Sequence, residues 1–181
     1  RELLALYCAV FRTMFQQDFA EKDAKQINLP NVKRTDFLTF LGCLYLPPDP
    51  ITKENVYPVV SLADQFDCKV LLAQCDAFLK KMYGDTAAKV ETNLARVTWA
   101  PAGVGKTVRF TAVNDAHKAL EKVGDAISKL NPDVRDYVSH PNGTFNWRPI
   151  AGTDRLSPHS YGIAIDFDIQ HLPNQYWRWA K

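Results

Sequence analysis

No run of apolar residues in this 181-residue chain approaches the roughly 20 needed to cross a bilayer, and nothing at its start has the order of a secretory signal. A membrane partner is therefore not expected. Charge of one sign is also lacking: 22 Lys plus Arg against 20 Asp plus Glu leave a formal +2, too little to attract nucleic acid or an anionic surface. Cysteine is missing altogether after position 75. Cys8, Cys43, Cys68 and Cys75 form no C-x-x-C pair, and three of them sit in apolar helical patterns, so they read as buried thiols of a reducing compartment rather than as a zinc site or disulfide framework. The chain opens on Arg1-Glu2-Leu3-Leu4, in the middle of a helical pattern and not on Met, and is expected to be cropped.

What is present divides into two halves. The 46% hydrophobic content is that of an ordinary globular protein. From Arg1 to Phe15 apolar residues recur at helical spacing, which predicts one or two short helices. Gln26 to Leu29 alternates as a strand and stops at Pro30. A helix is predicted from Thr35, with Phe37, Phe40, Leu41 and Leu44 on its buried face, ending at Pro47, Pro48 and Pro50. Thr52 to Asn55 offers a cap ahead of Val56 to Phe66, and a further helix follows from Val70 to Phe78.

The order of Phe11-Arg12-Thr13-Met14-Phe15, Ile27-Asn28-Leu29, Asp36-Phe37-Leu38, Leu62-Ala63-Asp64-Gln65-Phe66 and Cys75-Asp76-Ala77-Phe78-Leu79 resembles a BTB/POZ domain. The resemblance covers residues 1–83, without the strands and first helix that open that domain. It implies a protein-interaction module that forms a homodimer or recruits a protein partner such as a cullin-type scaffold, inside the cytoplasm.

Residues 84–94 read as a linker, with Gly84-Asp85-Thr86 as the break. Ala100 to Thr107 satisfies a relaxed P-loop pattern, yet Val108 to Val113 alternates like a strand where a phosphate-binding helix should begin. Ala95 to Trp99 alternates too, so Pro101 to Lys106 is predicted as the turn of a β-hairpin. Beyond it, Leu120, Val123, Ile127 and Leu130 predict an amphipathic helix that starts near His117.

From Gly143 onward the sequence is dense in chemistry-bearing side chains. Ile163, Ile165, Phe167 and Ile169 alternate with Ala164, Asp166 and Asp168, predicting a strand with both carboxylates on one face. His159 lies seven residues before Asp166 in a loop that Gly162 lets bend back, so imidazole and carboxylate can converge on one Zn²⁺. Ser157 is placed to orient that loop or meet a substrate carboxylate, and Arg148 to neutralise a peptide carboxylate or an oxyanion.

Ser157-x-His159-x-x-Gly162-x-Ala164-x-Asp166, with Gly143 to Arg148 and Tyr176-Trp177-Arg178-Trp179, resembles the zinc D-alanyl-D-alanine carboxypeptidases over residues 95–181. That resemblance implies His159 and Asp166 as metal ligands, Arg148 and Ser157 as substrate contacts, a peptidoglycan-type peptide as substrate and an extracytoplasmic location. The family's third ligand, a histidine, and its catalytic glutamate have no counterpart here; His171 is the nearest substitute and reads as a loop residue. Zinc is accordingly expected to bind weakly and turnover to be negligible. The combined fold class is α+β, a mostly helical BTB-like module followed by a truncated α+β peptidase-like module.

Overall fold

The computed structural model describes residues 1–17, 19–45, 48–103 and 106–170. The chain separates into two compact units, residues 1–81 and 82–181.

The first unit is helical. α1 (Glu2–Tyr7) and α2 (Ala9–Gln16) are separated by Cys8, whose extended backbone breaks the helical path. α3 (Arg34–Leu44), α4 (Val56–Gln65) and α5 (Lys69–Tyr83) follow. Pro58 falls in the first turn of α4, where a missing N–H costs no intrahelical bond. Asn55 does not cap that helix with its side chain; it brackets the approach instead, accepting from Thr52 N at 2.8 Å and donating to Pro50 O at 2.9 Å.

Phe40 and Phe66 close the core with Phe37 and Phe11, the rings of the four meeting stacked, tilted or edge-on with centroids 4.5–6.3 Å apart. Val56, Val59, Ala63, Leu71 and the four cysteines complete it. Burying that many large side chains, at about 1.5–3 kcal/mol each, is what fixes five short helices that would be marginal alone. The strand predicted at Gln26 to Leu29 is instead a bend at Gln26 followed by irregular chain. The described part of this unit holds no other strand, so its N–H and C=O groups have no ladder to join.

The second unit begins with α6 (Ala87–Glu91), capped by Thr86, whose hydroxyl accepts from Lys89 N at 3.3 Å. Val90 is fully buried there, so the stretch expected as a linker is packed structure. β1 (Leu94–Thr98) and β2 (Thr107–Thr111) pair antiparallel as the predicted hairpin, with Val97 opposite Val108. Between them Trp99 N donates to Lys106 O at 2.9 Å and a 3-10 turn spans Ala100–Ala102, while Val104 and Gly105 fall outside the described residues.

α7 (Ala116–Ser128) lays Leu120 and Ile127 on the Val97, Trp99 and Val108 cluster. Val123 and Leu130, predicted on the same stripe, stay half exposed. The reason is Gly124: a Cβ there would meet the Trp99 ring at 3.2 Å, and this close approach turns the Leu120–Gly124–Ile127 face inward and the Val123 edge outward. Trp99 is held by its own Nε1, which donates to Val138 O at 2.7 Å just beyond α8 (Pro132–Asp136). β3 (Pro141–Gly143) and β4 (Asp166–Phe167) form a second two-stranded ladder, with an irregularity that shifts register between Pro141 and Gly143.

Candidate functional site

The residues singled out for chemistry belong to the second unit, on two stretches that run back along each other. Pro149 bridges Leu156, Ile150 N donates to Arg155 O at 2.8 Å, and Ser157 N donates to Arg148 O at 3.0 Å. This pairing carries the chain from Arg148 round to His159. Pro158 then opens a 3-10 turn, Pro158–Tyr161. Ser157 is buried at its N-terminus and its hydroxyl accepts from His159 N at 3.3 Å, which makes it the cap that orients the histidine.

Gly162 has φ +64, and a Cβ at that position would sit 2.5 Å from Leu94 Cδ2. Its carbonyl accepts from Thr111 N at 3.0 Å, fastening the returning chain to the end of β2. Glycine is required here on both counts. The predicted bend follows, and His159 Nε2 reaches Asp166 Oδ2 at 3.2 Å. The histidine side chain is 12% exposed and the carboxylate 64%. Ile165 and Phe167 pack towards Trp99, whereas Asp166 and Asp168 face solvent, as the alternation predicts, although only Asp166–Phe167 are paired as strand. Asp168 Oδ1 accepts from Gln170 N at 2.9 Å.

Two donors about 2.0–2.1 Å from one tetrahedral ion lie about 3.4 Å apart, so the observed separation suits a shared ion as well as a direct ion pair. The donor count does not suit zinc: a catalytic site uses three protein ligands, and among the described residues no group of three His, Cys, Asp or Glu side chains could hold a metal. His171 and Tyr176 to Trp179 lie outside the described residues. No hydrolytic step follows from the residues described.

Arg148 is exposed, and its backbone rather than its guanidinium is tied to the site: N donates to Ser160 Oγ at 2.9 Å. Ser160 is the residue that sequence reasoning missed. It is fully buried, and its Oγ also lies 3.2 Å from Asn146 O and 2.8 Å from Arg148 O, stitching 146–148 to the His159 turn. A serine between histidine and tyrosine gives no periodic signal.

The first unit presents a different kind of surface. Leu3, Leu6, Val10 and Phe19 are exposed, and an apolar groove of about 460 Å³ runs beside α2, lined by Val10, Met14 and Phe19. Such a surface is suited to binding protein chains. Residues 1–83 match the family model of the BTB/POZ domain.

Among curated relatives, BTB and MATH domain-containing protein 38 of Caenorhabditis elegans is 32% identical over 138 residues, covering 66% of this chain and 35% of that protein. The share of the chain matched is greater than residues 1–83 supply, so the similarity runs past the domain. BTB and MATH domain-containing protein 36 of the same organism is 29% identical over 79 residues, 44% of this chain and 25% of that protein. Kelch-like protein 40 of Xenopus laevis is 32% identical over 81 residues, 45% of this chain and 13% of that protein. The matched stretches thus span about a third or less of these relatives' lengths. No solved structure matches.

Neither the matched family nor these relatives' names describe a peptidase. Among the described residues no helix is long and apolar enough to cross a membrane.

Proposed function

We propose that this chain works as a protein-interaction component, with residues 1–83 as its binding module. The observation that carries this is the BTB/POZ match over those residues, set on a helical unit that leaves apolar side chains of α1 and α2 at the surface. A cullin-type scaffold and a second copy of the chain are the two partners this reading names, and the cytoplasm is the location it implies.

The test is sedimentation of the 181-residue chain alone and mixed with the N-terminal region of a cullin scaffold. A self-associated species or a mixed complex at micromolar concentration supports the reading; a monomer in both runs overturns it.

A second reading rests on the 3.2 Å contact between His159 and Asp166. Here residues 95–181 keep two ligands of a zinc peptidase-type site, with Ser157 ordering the turn and Arg148 exposed on the stretch beside it. Calorimetric titration with Zn²⁺ beside Asp166→Ala tests it. One zinc per chain, weakly held and lost in the variant, supports this reading, whereas absent binding, or binding that the variant leaves unchanged, removes it.

A further inference from the structure

β2 spends one edge on β1 and leaves part of the other open. In an antiparallel ladder, hydrogen-bonded and non-hydrogen-bonded pairs alternate. Trp99 N donates to Lys106 O and Ala112 N to Asn93 O, so the bonded pairs between these ends are Val97 with Val108 and Ala95 with Phe110. Thr107, Arg109 and Thr111 therefore turn their backbone N–H and C=O groups away from β1. At the far end of this outer edge Thr111 N donates to Gly162 O at 3.0 Å, and Arg109 O accepts from the Thr144 hydroxyl. Nearer the hairpin turn, Thr107 N–H, Thr107 C=O and Arg109 N–H have no partner among the described residues. Thr107 to Arg109 form one wall of a cleft of about 220 Å³, and Pro141 to Phe145, which include β3, form the other.

The side chains beside that edge are cationic. Arg96 and Arg109 are opposite each other in a non-hydrogen-bonded pair, the closer kind, and both are exposed on the sheet face turned away from α7. Like charges so placed repel. Glu91 answers one of them, at 3.2 Å from Arg109, whose guanidinium also lies over the Phe145 ring at 5.6 Å from its centroid. Arg96 has no acidic partner among the described residues, and exposed Lys106 adds a third cation just before the strand. We propose that this edge and its cleft bind a short, extended, acidic segment of a partner protein, which adds to β2 as an antiparallel strand. The site belongs to the second unit and is separate from the BTB/POZ module. Pairing fixes the order of the segment's residues. The first lies opposite Arg109, accepts from Arg109 N and is acidic, so that its carboxylate meets Arg109 and Arg96. The second lies opposite Val108, on the side of the Val97, Trp99 and Val108 cluster, and is apolar. The third exchanges both backbone hydrogen bonds with Thr107 and is Ser or Thr, which pair well with a threonine across strands. The cleft is smaller than the roughly 300–1,000 Å³ of small-molecule pockets, which suits a few residues of backbone. A second copy's β2 does not suit it, because Arg96 and Arg109 of both chains would gather with only one Glu91 from each.

The experiment titrates the isotope-labelled 181-residue chain with the blocked peptide Gly-Glu-Val-Thr-Gly and follows backbone amide shifts by NMR. The expected result is saturable binding, with Kd on the order of 1 mM or tighter, in which the Thr107 and Arg109 amides move more than those of Val108 and Phe110. Added salt should weaken it. A peptide with Lys in place of Glu, or one N-methylated at its Thr, should bind about tenfold more weakly. Thr107→Pro removes a donor that the ladder does not use, at the first residue of a strand, where proline is tolerated. That variant should lose the peptide while keeping the tryptophan unfolding midpoint, and Asp166→Ala should bind it as the unaltered chain does. Absence of saturable shifts, equal binding of the Lys peptide, loss of binding in Asp166→Ala, or shifts led by Val10, Met14 and Phe19 of the α2 groove would overturn the proposal.

Discussion

The two units reach a packed state by different means. Residues 1–81 close around large rings: Phe11 of α2, Phe37 and Phe40 of α3 and Phe66 just past α4 meet, and four buried thiols belong to the same core. Residues 82–181 have a smaller centre, Val97, Trp99 and Val108, and rely on side-chain hydrogen bonds and turns for the rest. The first is built of non-directional burial and leaves apolar surface over. The second spends polar groups on its own backbone, which aligns His159 with Asp166 but leaves Ser157 and Ser160 occupied. A cluster of polar side chains is therefore not in itself a reaction centre; what each oxygen and nitrogen already bonds to decides.

All four tryptophans, Trp99, Trp147, Trp177 and Trp179, lie in the second unit. Indole fluorescence therefore reports on that unit, while helical circular dichroism is weighted to the first. The largest expected effect is Phe40→Ala, which should cost about 3–5 kcal/mol by emptying the aromatic centre. It should lower the circular-dichroism midpoint in urea, and an equal fall in the tryptophan midpoint would break the division into two units.

Ser160→Ala comes next, at about 1–3 kcal/mol, because a buried hydroxyl bridging 146–148 to the His159 turn is lost. Its effect should appear in the tryptophan signal. Gly162→Ala should cost about 1–2 kcal/mol for left-handed backbone, with Leu94 forced to move, and no cost would mean the turn is not fixed by glycine. Smallest is Asp166→Ala at about 0.2–1 kcal/mol, since the carboxylate is mostly solvated and the pair is screened. A much larger loss on urea unfolding would mark the pair as structural.

Helix positions in the first unit were legible because Leu, Val and Phe recur at 3.6-residue spacing and the prolines after α3 mark its end. The hairpin was legible from alternation on both sides of Pro101 to Lys106, and the His159–Asp166 approach from spacing plus Gly162. Other features depend on partners remote in sequence. Gln26 to Leu29 lacks a neighbour to pair with, Val123 turns outward because Trp99 lies against Gly124, and Ser160 matters through carbonyls 12 and 14 residues away. Val90, buried in α6, shows that a short polar stretch with one well-placed apolar residue packs as structure despite reading as a linker. The zinc-peptidase resemblance drew on local motif order alone, and neither the matched family nor the names of the relatives supports it.

The most direct test of the account is calorimetry on one preparation of the chain, titrated in parallel with a cullin-type scaffold fragment and with Zn²⁺. The interaction-module reading predicts saturable heat with the scaffold at one fragment per chain and loose or no binding of zinc. Absence of heat with the scaffold, together with one tightly held zinc lost in Asp166→Ala, would contradict it and move the function to the second unit.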